Sequence, residues 1–290
     1  MENALRHARQ VNWDPASGVQ NRVAVDINRA VDTTVPQPQR VPSRPQNKAP
    51  QQVDARSAFF LSETTAGLNI GASFLDRLTA EEAFLLHSLG RQFTVKQGKA
   101  VFRQGERHDG IFIIDEGQVH VYYTAPSGRE ITLAYWTPGH FIGGPEIFGG
   151  GMHIWSGEAM TDCRLTTLSG AALQDLIRQA PNFALALIDG LVAKGKCYSS
   201  MAQMLGTRSV IERLVHYLLN LAELHGRPDG SAIVIARKIT HDEIAAMVGS
   251  TRQWVTMMLK RFQKKGIVSV AATGIRIERP DQLERVLLGE

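Results

Sequence analysis

The sequence predicts an α+β chain in three parts: an N-terminal β-roll of the jelly-roll type, a long helix, and a C-terminal winged helix-turn-helix. Three observations carry this. Short β-branched and aromatic runs, bounded by Gly or Pro-Gly, recur between Ile111 and Leu168, the first three at about ten-residue spacing, as in a barrel or jelly-roll sheet. Apolar residues at helical spacing then run from Pro181 to about Leu205. Finally, two short amphipathic segments meet at Gly249 and are followed by a hairpin pattern.

Taken in order, residues 1–56 are rich in Pro, Gln and Arg, with few large apolar residues at any period, and are expected to form a disordered tail. Thr79 and Glu82 have the spacing of a capping box and open a short helix through Phe84, Leu85, Leu86 and Leu89. Strands are expected at 111–114, 119–123, 131–136 and 164–168, and a short helix over 171–178. The helix from Pro181 carries Phe183, Leu187, Leu191, Met201, Met204 and Leu205; a long helix with one apolar edge suits dimerisation. A further helix over 209–224 carries Val210, Leu214, Leu218 and Leu221.

Charge is unevenly spread. Residues 1–56 hold 8 basic and 5 acidic side chains, residues 57–206 hold 11 and 14, and residues 207–290 hold 13 and 9. A basic C-terminal third suits a polyanionic partner. Two cysteines, Cys163 and Cys197, exclude a disulfide framework and a zinc ribbon and fit a reducing cytoplasm. No apolar run is long enough to span a bilayer and no secretory h-region is evident, so no membrane partner is expected.

The segment from Thr240 to Gly266 is the most informative. Thr240 and Glu243 form a second capping box, Ile244 and Val248 lie on one face, and Ala245 is small where a second helix must cross. Gly249 can take the left-handed conformation of a tight turn, and Ser250 or Thr251 can cap the next helix. That helix buries Val255, Met258, Leu259 and Phe262, which leaves Gln253, Thr256, Met257 and Lys260, with Arg252 beside them, on the free face. In this motif the start of the second helix meets base edges. Arg252 is suited to guanine O6 and N7, Gln253 to adenine N6 and N7, and Thr240 and Thr251 to phosphate at helix N-termini. Residues 267–270 and 275–277 make the wing.

With these segments, Phe102-Arg103-Gln104-Gly105-Glu106, Ile111 to Val119, Gly128 to Leu133 and Pro138 to Gly143, the chain from Phe74 onward resembles the cyclic-AMP receptor protein/FNR family of bacterial transcription regulators. The resemblance implies a cyclic-nucleotide-binding-type β-roll, a long dimerisation helix and a DNA-binding domain that an effector in the roll reorients. Its partners would be a palindromic DNA operator, a second copy of the chain and RNA polymerase. The expected division is a tail (1–56), an effector-sensing roll (57–180), a dimerisation helix (181–206) and a winged helix-turn-helix domain (207–290). Many members read Arg-Glu-x-x-x-Arg in the recognition helix; here Gln253 and Met257 stand at the last two of those sites, so the half-site differs.

Cyclic-nucleotide binders of the family grip ribose and phosphate with a Gly-Glu and an Arg-Ser pair. Aligned on Phe141-Ile142-Gly143, this chain places Gly144 at the glutamate and Ile154-Trp155 at the Arg-Ser pair, so cyclic AMP is not the expected effector. Gly143, Gly144, Ile154, Trp155 and Tyr198 are the expected pocket residues. Haem remains an open cofactor, with His140, His153, Cys163 and Cys197 as the side chains of ligating type. Two other readings are a ligand-independent or protein-gated regulator with a scaffold roll, and a cupin-type metal enzyme. The latter lacks its His-x-His pair, and no nucleophile elbow or phosphate loop occurs, so no catalytic or metal-binding residue is assigned.

Overall fold

The computed structural model describes residues 58–63 and 75–289, all of them within one compact unit, Ala49–Glu290. The tail expected over 1–56 lies outside the described residues. Helix α1 (Ala80–Leu89) opens with the expected capping box, Thr79 Oγ1 accepting from the Glu82 amide and the Glu82 carboxylate from the Thr79 amide. Leu86 points inward while Phe84 stands exposed.

The roll is built from β1 (Arg91–Val95), β2 (Ala100–Phe102), β3 (Arg107–His108), β4 (Ile111–Glu116), β5 (Val119–Thr124), β6 (Glu130–Trp136), β7 (Phe141–Gly143), β8 (Gly151–Met152), β9 (Ser156–Ala159) and β10 (Cys163–Leu168). They form two four-stranded antiparallel sheets, β1-β10-β4-β7 and β2-β9-β5-β6, with β3-β8 as a short ribbon. Ile114, Val119, Val121, Ala134, Trp136 and Leu165 fill the space between the sheets and exclude water there.

Helices α2 (Gly170–Gln179) and α3 (Pro181–Thr207) follow. One stripe of α3, Phe183, Leu187, Met201 and Met204, is buried against this chain's own core. The edge expected from those residues is therefore not the free one. The exposed apolar edge is Leu185, Ile188, Leu191 and Val192, which shares only Leu191 with the expected one.

The C-terminal part holds α4 (Val210–His225), β11 (Gly226–Asp229), β12 (Ala232–Ile235), α5 (His241–Val248), α6 (Arg252–Lys264), β13 (Val268–Ala271), β14 (Gly274–Ile277) and α7 (Pro280–Leu287). The wing is more than a hairpin: β12 pairs with β14, so the sheet reads β11-β12-β14-β13. Helix α5 lies against β6 of the roll, and Arg237 sits over the Tyr135 ring at 5.8 Å.

Residues 58–63 bind the two halves together. Ala58, Phe59, Phe60 and Leu61 are all buried. Phe59 exchanges two backbone hydrogen bonds with Tyr135, at 2.9 and 2.8 Å, and its ring touches Tyr135, Tyr217 and His225. Ser200 on α3 donates to the Leu61 carbonyl (3.3 Å), and the buried Asn220 on α4 donates to the Ser62 carbonyl (2.7 Å). Glu63 pairs with Arg208 at 2.8 Å. One short strap thus touches the roll, the long helix and the C-terminal domain.

Candidate nucleic-acid interface

The turn between α5 and α6 is shaped by one residue. Gly249 has φ 63° and ψ 50°, a left-handed cap that a β-carbon disfavours. Its amide donates to the Ala245 carbonyl, and the Ser250 amide donates to the same oxygen at 2.9 Å. Thr251 then caps α6, its hydroxyl accepting from the Trp254 amide at 3.2 Å. Val255, Met258, Leu259 and Phe262 are buried beneath, against Ile244, Ala245 and Val248 of α5.

Packing that stripe turns the other one outward. Thr240, Thr251, Arg252, Gln253, Met257 and Lys260 are exposed, and Thr256 is partly buried. The Thr256 hydroxyl is already engaged, donating to the Arg252 carbonyl (2.9 Å) and lying 2.7 Å from His241 Nδ1. Arg252 faces Asp242 at 3.6 Å, both well exposed, a pair weak enough for a DNA phosphate or base to displace. Sequence reasoning passed over Arg261, Lys264 and Lys265, which extend the exposed basic edge of α6; their clustering at the helix C-terminus was the available signal.

In the roll, Trp155 donates from Nε1 to the Gly143 carbonyl at 2.6 Å, and its ring lies 5.8 Å from that of Tyr198. These three expected pocket residues come together. Gly144 does not join them: its amide donates to His108 Nε2 at 3.2 Å, and a β-carbon there would come within 2.5 Å of the His108 ring. Ile154 is a correction, since it stands 49% exposed while the Trp155 beside it turns into the roll. Neither Gly144 nor Ile154 presents a charged side chain to the roll, and the carboxylate that acts most strongly on His108, beside Gly144, is that of Glu146.

Burial holds both thiols protonated: Cys163 is raised, and Cys197 is pushed up to about 12. The single Cys163 S–H has the carbonyls of Thr161 (3.3 Å) and Gln118 (3.4 Å) as alternative acceptors. His140 Nδ1 lies 3.0 Å from the Thr137 carbonyl, and the His153 ring is stacked on Phe102 at 4.3 Å. This donor set does not fit haem ligation, which needs a thiolate or a histidine nitrogen facing open space.

His153 also abuts His108, with ring centroids 4.6 Å apart, and neither Nδ1 has a hydrogen-bond partner among the described residues. Burial, with His108 beside it, pushes His153 down to about 4, and burial likewise lowers His108 despite Glu146 nearby. Both rings are thus neutral in the fold and take up protons more readily when it opens. Stability is expected to fall as pH drops from about 6.5 toward about 4 and to be unaffected by these groups above that window. Thermal melts at about pH 7.5 and about pH 5 check this; replacing both histidines by Phe should reduce the dependence, leaving the part set by His120, which burial also pushes down to about 4, and by His225, which burial also lowers.

Comparisons with known proteins agree with this geometry. A cyclic nucleotide-binding domain model matches residues 92–180, and a Crp-like helix-turn-helix domain model matches residues 212–286. The chain is 29% identical over 190 residues to the CRP-like cAMP-activated global transcriptional regulator of Mycobacterium tuberculosis, covering 65% of this chain and 84% of that one. It is 26% identical over 219 residues to the cyclic AMP receptor protein of Thermus thermophilus, covering 76% and 98%. A solved CRP/FNR-family transcriptional regulator from Thermus thermophilus superposes with a TM-score of 0.52 at 27% identity, covering 68% and 97%. With a nucleotide-binding-type roll, a long helix and a Crp-like helix-turn-helix in that order, the chain belongs to the cyclic-AMP receptor protein/FNR family of transcription regulators.

Proposed function

We propose that the protein works as a homodimer in the cytoplasm, binds a palindromic operator sequence-specifically, engages RNA polymerase there, and performs no catalytic step. The roll (57–180) senses an effector other than cyclic AMP, the long helix (181–206) pairs the two copies, and residues 207–290 read DNA. The observation that carries this reading is the exposed stripe of α6 led by Arg252 and Gln253, held outward by the packed Val255-Met258-Leu259-Phe262 stripe and the left-handed Gly249. Leu185, Ile188, Leu191 and Val192 supply an apolar edge on α3 for a second copy. Two-fold symmetry then sets half-sites about one helical turn apart, about 34 Å.

The test begins with an operator selected from random duplexes by the purified protein. Arg252→Ala is expected to weaken binding to that site by about 1–3 kcal/mol while leaving binding to unrelated DNA nearly unchanged. Fluorescence anisotropy at one fixed salt concentration measures both. Equal affinity of variant and wild type for the selected site would remove α6 as the reading element.

A further inference from the structure

Lys194 is an unusual side chain in this fold. It lies on α3 with Nζ 4.1 Å from the centre of the Trp136 ring and 4.7 Å from that of Phe141. Among the described residues it has no carboxylate partner and no hydrogen bond; beside the two rings its neighbour is the Cys197 thiol, which burial keeps neutral. A cation over ring faces recovers part of its lost hydration, but leaves net positive charge uncompensated.

The ring beneath it carries a second unmet donor. Trp136 is 1% exposed, and its Nε1–H has no hydrogen-bond partner among the described residues. Buried indole N–H groups nearly always find an acceptor, so an orphan one calls for an explanation. Two donors, one of them charged, thus belong to one ring and its face, and neither has an acceptor among the described residues.

The surroundings are flat and apolar. Tyr198 follows Lys194 by four residues and so shares its face of α3. Trp155 packs against Tyr198 at 5.8 Å, its own N–H used by the Gly143 carbonyl. Phe141 closes the side toward Gly190, where a β-carbon would come within 2.5 Å of the Phe141 ring; α3 therefore crosses the roll closely here.

We propose that Lys194 and the Trp136 indole N–H anchor a binding site for a small organic monoanion with a planar apolar body, an aromatic carboxylate being the simplest case. One carboxylate oxygen meets the ammonium, the other accepts from the indole, and the body lies among Phe141, Trp155 and Tyr198. Its two anchors are not the Gly144 and Ile154 positions where the family's phosphate contacts would fall, although Trp155, the second residue of the Arg-Ser position, borders it. It deepens the effector-gated reading by naming the effector's chemistry, and its regulatory meaning rests on that reading. Burial pulls the Lys194 ammonium down to about 7, so an incoming anion also restores its full charge. Because Lys194 stands within three residues of Leu191 and Val192 on α3, an occupant pulls on the helix whose outer edge is offered to a second copy.

Calorimetric titration and thermal melts of the full chain test this, with benzoate and phenylacetate as probes. Benzamide serves as the neutral isostere, and inorganic phosphate and cyclic AMP as the other anion sources. The carboxylates are expected to bind and raise Tm, and benzamide to do neither. Lys194→Met should weaken carboxylate binding by about tenfold or more, and Trp136→Phe by a few-fold. Without ligand, Lys194→Met should melt at or above the wild type, because a half-buried ammonium without a carboxylate partner among the described residues has been replaced by an apolar chain of similar length; this shows that lost binding is not lost folding. If no carboxylate binds the wild type, if the Met variant binds it equally well, or if cyclic AMP binds in preference and independently of Lys194, the inference falls. Selected-operator binding that depends on Arg252 is read separately, so failure here leaves the DNA-binding reading standing, and the reverse holds too.

Discussion

Replacing Phe59 with alanine is expected to destabilise the protein by about 3–5 kcal/mol, the range for deleting a buried aromatic ring. Phe59 is 4% exposed and its ring packs on Tyr135 of the roll and on Tyr217 and His225 of α4. Truncation leaves a cavity at the junction of the two halves rather than inside either. The backbone exchange between Phe59 and Tyr135 then relies on buried Ala58, Phe60 and Leu61 and on the Ser200–Leu61, Asn220–Ser62 and Glu63–Arg208 contacts. Roll and C-terminal domain are therefore expected to unfold in two separate steps by scanning calorimetry, where the wild type unfolds in one. Phe59→Leu keeps most of the apolar volume and should sit much closer to the wild type. A single cooperative transition in Phe59→Ala, shifted by less than about 1 kcal/mol, would mean that the strap does not couple the halves.

The strap also shows where sequence reasoning stops. Its Phe-Phe-Leu run makes one bridge to one residue, and a single bridge has no period to detect. The same holds for β2, β3, β7 and β8, two or three residues each, which alternation cannot mark. β4, β5, β6 and β10 were readable because each has six or seven residues rich in branched and aromatic side chains. The helix-turn-helix was readable almost residue by residue, since capping boxes at Thr240–Glu243 and the turn at Gly249 are local devices with local chemistry. The pocket was harder. Trp155, Tyr198 and Gly143 were picked out by position alone, and Ile154 was misassigned because the bend at Ile154-Trp155 turns the two neighbours different ways, which no periodicity reveals. Lys194 lay in a stretch that reads as poorly apolar, and nothing in its own neighbourhood indicates that Trp136, 58 residues earlier, carries an unmet donor.

Arg213→Met is expected to cost about 3–4 kcal/mol, because one buried guanidinium serves several carbonyls at about 1–3 kcal/mol each and some of them regain water. Arg213 is 7% exposed. Its Nε donates to the Val248 carbonyl at 2.8 Å, Nη1 to those of Arg208 (2.9 Å) and Leu205 (3.4 Å), and Nη2 to that of Gly249 (3.5 Å). These oxygens belong to the C-terminal ends of α3 and α5, where carbonyls lack helical partners and a cation is favoured by the aligned peptide dipoles. Arg129, from the β5–β6 turn, donates to the same Gly249 carbonyl and offsets part of the loss there, so the four bonds are not additive. Lysine has a single point of charge and cannot reach both helix ends, so Arg213→Lys is expected to recover less than half of the stability. The left-handed turn that aims α6 should loosen as well. Selected-operator affinity should therefore fall in Arg213→Met although Arg213 itself is buried away from any DNA. Urea unfolding and anisotropy titration on the same preparation measure the two losses together. Retained operator affinity in a clearly destabilised variant would show that the turn holds its shape without this anchor.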